Sequence, residues 1–130
     1  MNAFTAPTAI RRLLIADALI SGVTGMAMIA LAGAAEPLLN IPSSLMRVTG
    51  VVLLPFAAMV LYFAKQVTRS RVWTVVTLNL AWVAGSVLIL VEGLIEPTAL
   101  GTAFIVFQAL VVAALAELQF VGLRRSLAAA

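Results

Sequence analysis

Asp17, Asn79 and Glu117 stand inside stretches that are otherwise apolar, and their types decide what chemistry this chain could do. Ionisable groups at membrane depth are costly unless paired, so their presence asks for a reason. One reading makes them a proton or cation site, with Asp17 as the titrating carboxylate and Asn79 and Glu117 as its partners. The simpler reading pairs Asp17 and Glu117 with Arg11, Arg12, Arg124 or Arg125 and has Asn79 bond a neighbouring helix. At helical spacing, Asp17, Ser21 and Gly25 share one face, and Asn79, Trp82 and Ser86 share another. Ser21, Gly25, Trp82, Ser86 and Gln108 are therefore candidates for lining a ligand or for helix contacts. The Trp82 indole N–H needs an acceptor within the membrane, with Ser86 or a backbone carbonyl in reach. Pro55 cannot donate to the carbonyl of Val51, and a kink in its helix is expected there.

The elements that must position these groups are read from the basic residues. Seven of the eight fall in three places: Arg11 and Arg12; Lys65, Arg69 and Arg71; Arg124 and Arg125. Between them run four apolar stretches, each near the ~20 residues that a ~30 Å hydrocarbon layer requires. Helices are expected over about residues 9–35, 45–64, 72–93 and 99–121, after a short polar lead-in. The segment 36–42, Glu36 to Pro42, and Glu96-Pro97-Thr98 mark two outer turns, and Ser43 or Ser44 is the expected cap of the second helix. Lysine and arginine collect on the cytoplasmic side, which puts both termini and the Lys65–Arg71 loop inside. Tyr62, Phe63, Trp73 and Phe120 fall near that inner boundary, where an aromatic belt is expected. The first helix resembles a signal peptide only in its basic flank; its apolar run is too long and carries Asp17, so it is expected to be retained.

Composition supports an all-α membrane protein: 64% of residues are hydrophobic and 10% charged, and the mean hydropathy is +1.18. The 130 residues form one integral membrane domain, a four-transmembrane-helix bundle. Cysteine and histidine are absent, which excludes disulfides, thiolate or imidazole metal sites and cysteine–histidine or serine–histidine nucleophiles. No catalytic residues, cofactor or metal are expected, and an enzyme is the least supported class. The +3 net charge lies at membrane boundaries, so anionic head groups rather than nucleic acid are the expected partner.

Shifted by 60 residues, the chain matches itself at Arg11/Arg71, Gly25/Gly85, Gly33/Gly93, Glu36/Glu96 and Pro37/Pro97. Two hairpins of one orientation would form a parallel repeat. Ala18-x3-Gly22, Ser21-x3-Gly25, Ala81-x3-Gly85 and Ala109-x3-Ala113 supply small faces for close helix packing. In size and span count the chain is similar to small multidrug-resistance transporters, which also carry a carboxylate in the first of four helices. Those place a glutamate near mid-helix, whereas Ile15-Ala16-Asp17-Ala18-Leu19 sets an aspartate nearer the inner end; the likeness is architectural.

Three functions follow as expectations for a bacterial inner-membrane protein with both termini cytoplasmic. The first is a structural or accessory subunit that binds itself or another membrane protein, and it predicts a small-residue stripe unused by the bundle. The second is a small proton-coupled transporter or channel component using Asp17. The third is a carrier of lipid or another hydrophobic ligand, with a cavity between helices one, three and four.

Overall fold

The structure, a computed structural model, describes the backbone of residues 8–129 and the side chains of 8–126; most of the expected lead-in lies outside them. The described residues form four helices: α1 (Thr8–Leu39), α2 (Ser43–Lys65), α3 (Arg69–Val91) and α4 (Ala99–Ala129). All four are long and apolar enough to cross a membrane. Helices are the form such segments must take, because lipid leaves backbone N–H and C=O groups no other partner. Their outward faces are largely apolar, with Val23, Val91 and Phe107 about two-thirds exposed or more (69%, 73% and 68%). That surface belongs against lipid: the chain is a multi-pass membrane protein.

The ends differ from the sequence expectation for local reasons. Helix α1 does not stop before Glu36-Pro37 but runs two residues past the proline, to Leu39. Asn40 then turns the chain with a positive φ of 52°, a conformation that asparagine tolerates. No serine side chain caps α2. Its first N–H, from Ser43, is instead accepted by Glu36 Oε1 at 2.8 Å, a carboxylate at a helix N-terminus. Helix α3 begins earlier than expected because buried Thr68 caps it, its Oγ1 accepting the Arg71 N–H. Helix α4 continues through Gly122 and Arg124-Arg125, whose neighbours are good helix formers. Gly122 lies close to Ile10 of α1 and permits that approach rather than ending the helix. Helix α2 runs unbroken through Pro55, which sits on its outward face.

Helix α1 packs along α2, α3 along α4, and α1 against α4, while α2 and α3 touch only sparsely. No Cα of α1 comes within 8 Å of one in α3, so these two face each other across the bundle diagonal. Helices α1 and α2 cross closely, and a Cβ on Gly50 would stand 2.6 Å from the Gly25 carbonyl oxygen. Only glycine fits there, as close approach of transmembrane helices demands. Gly85, the 60-residue counterpart of Gly25, meets nothing within 4 Å.

Two apolar clusters fill the interior. Ile10, Leu14, Val60, Val72 and Leu123 close the basic end, and Ala32, Ile41, Met46 and Ile105 close the turn end. The two turns are tied together: Asn40 Nδ2 donates to the Glu96 carbonyl at 2.6 Å and Thr98 N–H to the Leu39 carbonyl at 2.9 Å. At the basic end, Arg11 Nε donates to the Ala64 carbonyl at the end of α2 at 2.9 Å. The Arg71 guanidinium covers the rings of Tyr62 and Phe63, and Arg124 that of Phe120, which meets Trp73 edge-on. These cation–π contacts form an aromatic and basic collar at that end.

Candidate functional site

Asp17 is the best-enclosed ionisable group among the described residues, 1% exposed in the N-terminal half of α1. The apolar flanks of α1 carry it into the bundle between Leu14 and Ala18, both buried. Helices α3 and α4 bring amides to meet it. Asn79 Nδ2 and Gln119 Nε2 each donate to Asp17 Oδ2 at 2.8 Å. The Asn79 amide also reaches Gln119 Oε1 at 3.2 Å, and the Ser21 hydroxyl donates to Asp17 Oδ1 at 3.3 Å. Asn79 and Gln119 are 3% and 0% exposed, so the four side chains form a closed polar core that links three helices.

The expected pairing of Asp17 with an arginine is not what the fold builds. Every partner of Asp17 is neutral, while Arg11 is spent on the Ala64 carbonyl and Arg124 on the Phe120 ring. The carboxylate is satisfied by amide and hydroxyl dipoles, as a buried polar group must be.

Glu117 does not join the cluster, contrary to the grouping expected from sequence. It is exposed on the outer face of α4, and Gln119, two residues on, takes the inward place. Two residues along a helix turn a side chain through about 200°, so only one of the pair can face in. A second carboxylate beside Asp17 would set like charges together in a low dielectric, whereas the glutamine amide donates. Polarity along the sequence does not single out Gln119. Its signal is the 11-residue spacing from Gln108, about three full turns, which returns to the same face of α4.

That spacing produces a second tier nearer the turn end. The Trp82 indole N–H donates to Gln108 Oε1 at 2.8 Å, and Gln108 Nε2 donates to Ser86 Oγ at 2.9 Å. Ser86 in turn bonds the Trp82 carbonyl at 2.9 Å. The acceptor for Trp82 is thus a glutamine of the facing helix, not Ser86 or its own backbone. Gly25 and Ser21 divide their roles: Gly25 faces Gly50 of α2, and Ser21 faces Asp17.

Among the described residues, no buried side-chain nitrogen or oxygen lacks a hydrogen-bond partner, and no group of acidic residues could hold a metal ion. The junction of α1, α3 and α4, where the carrier reading places a ligand cavity, is occupied by the Asp17 cluster. The chain matches no known protein family, no curated protein and no solved structure.

Proposed function

We propose that this protein is a non-enzymatic accessory or self-associating subunit of a bacterial cytoplasmic membrane, with both termini and the Lys65–Arg71 loop on the inner side. The supporting observation is an unused small-residue face on α3. Thr77, Ala81, Ala84 and Leu88 are exposed along one side of that helix, and a Cβ on Gly85 would meet nothing within 4 Å. The counterpart of Gly85 in α1, Gly25, is consumed inside the bundle, where it meets Gly50. A small face left open is one onto which another transmembrane helix packs closely. The polar core then serves to fix the bundle, joining α1, α3 and α4 so that the outer faces are presented in one arrangement.

The chain has no cysteine of its own, which makes the test direct. Ala81→Cys and Ala84→Cys are expected to cross-link to a second chain in intact membranes, while a cysteine at buried Val75 is not. Equal, weak cross-linking at all three positions contradicts the reading.

A second reading, a proton-coupled transport component, is favoured by the surroundings of Asp17. Its Oδ1 faces only the Ser21 hydroxyl, a group that both donates and accepts. The same cage therefore satisfies the aspartate with or without a proton on that oxygen. In vesicles containing a pH-sensitive dye, this reading expects proton flux that Asp17→Asn abolishes while the fold persists. Wild-type vesicles as tight to protons as protein-free ones contradict it.

A further inference from the structure

Deep in the spans, one ionisable side chain is left without a partner. Glu117 is exposed on α4, and among the described residues its carboxylate makes no hydrogen bond or ion pair. It lies seven residues from Arg124, or about 10 Å along the helix. Its Cα–Cβ bond tilts toward the helix N-terminus, away from the basic end, which sets the carboxylate deeper rather than shallower. Against lipid chains an unpaired carboxylate at this depth is unfavourable, and such groups elsewhere pair with one another or face a protein interior.

Its setting is a continuous seam. Phe107, Leu110, Ala114, Glu117, Val121 and Arg124 recur at alternating three- and four-residue steps, and all are exposed. That spacing is the stripe by which one helix seats along another. Arg124 does not reach up to neutralise Glu117, because its guanidinium lies over the Phe120 ring, 5.7 Å from the centroid. A second copy fits poorly: a two-fold contact along this seam in the same orientation sets Glu117 against its own mate. Arg11, Arg12, Lys65, Arg69 and Arg71 belong to the same end of the bundle as Arg124, so the opposite orientation, which would bring Arg124 to Glu117, runs against the charge asymmetry.

We propose that the α4 seam seats a transmembrane helix of another membrane protein, one carrying a lysine or arginine at the matching depth that pairs with Glu117. The inference rests on the accessory-subunit reading and names the chemistry of the partner. The charge fixes the register and the choice of helix, and Ala114 gives the backbone room to approach.

The test uses the full-length protein in phosphatidylcholine vesicles, labelled as an energy-transfer donor, with acceptor-labelled synthetic polyleucine transmembrane helices. One peptide carries a single lysine about 10 Å inside one boundary, one carries it at the boundary itself, and one has none. The first is expected to bind, and Glu117→Gln to weaken its binding about tenfold or more, as loss of one member of a desolvated charge pair does. Glu117 makes no hydrogen bond or ion pair among the described residues, so the variant is expected to fold normally, with unchanged tryptophan emission as the check. Equal binding of all three peptides, or undiminished binding to Glu117→Gln, overturns the inference. So does an Ala114→Cys variant that cross-links to its own copies as fast with the lysine peptide as without it. If partner complexes cross-linked through α3 in native membranes survive Glu117→Gln, the inference fails while the accessory reading stands; if no complexes form at all, both fail.

Discussion

Asn79 Nδ2 lies 2.8 Å from Asp17 Oδ2, although the helices that carry them never bring their Cα atoms within 8 Å. Two short polar side chains span the diagonal of the bundle, with Gln119 of α4 closing the third side at 2.8 Å. Apolar packing holds α1 to α2 and α3 to α4; this bridge joins one hairpin to the other through the centre.

The bridge predicts an ordered mutational series. Asp17→Leu leaves Gln119 Nε2 without its acceptor and Asn79 Nδ2 with Gln119 Oε1 alone, at about 1–3 kcal/mol for an unsatisfied buried group. Asp17→Asn keeps an oxygen in the place of Oδ2 and is expected to change stability far less. Asp17→Leu combined with Asn79→Leu and Gln119→Leu leaves no buried amide orphaned, only the half-buried Ser21 hydroxyl without its acceptor, and is expected to cost less than the three single changes added together. Unfolding in mixed micelles with increasing denaturing detergent ranks the variants. A triple variant that loses the full sum contradicts a coupled cluster.

Glycine substitutions should divide the two halves of the molecule. Gly50→Ala places a Cβ 2.6 Å from the Gly25 carbonyl oxygen, which forces α1 and α2 apart and is expected to cost about 1–3 kcal/mol. Gly85→Ala meets nothing within 4 Å and is expected to stabilise the isolated protein by up to about 1 kcal/mol through helix propensity. The same unfolding titration reads both. A destabilising Gly85→Ala would show that α3 already packs its small face internally.

Gln108→Leu removes the acceptor from the Trp82 indole N–H. A loss of about 1–3 kcal/mol is expected for the unsatisfied donor. In a Trp73→Phe background, which leaves Trp82 as the single tryptophan, emission is expected to shift to the blue as the polar partner leaves, and Ser86→Ala to produce a smaller change. Unchanged emission in Gln108→Leu contradicts the bond.

Orientation is read by labelling. A cysteine in place of exposed Gln66, in the loop after α2, is expected to resist an impermeant thiol reagent added outside intact cells and to react once the cells are opened. Reaction from outside reverses the proposed topology.

The four helices and their approximate centres are legible in the sequence because apolar length and basic flanks are long-range averages over ~20 residues. Their ends are not, since each depends on one contact. The turn expected over residues 36–42 shortens to 40–42, and the cap of α2 comes from Glu36 in the preceding helix. The site divides in the same way. Asp17 and Asn79 stand out as polar groups in apolar runs, and the fold brings them together. Glu117 and Gln119 sit two positions apart on opposite faces, and polarity alone favours the charged one; only the face shared with Gln108 points to the glutamine. Helix pairing, which leaves α1 and α3 on a diagonal, is a tertiary fact with no local sequence mark.

The measurement closest to the central proposal is native mass spectrometry of the protein extracted from its own membrane in mild detergent, wild type beside Gly85→Leu. An accessory or self-associating subunit predicts a stoichiometric complex, with a foreign membrane protein or a second copy, that Gly85→Leu disrupts without unfolding the bundle. A wild-type protein that leaves the membrane only as a monomer contradicts it.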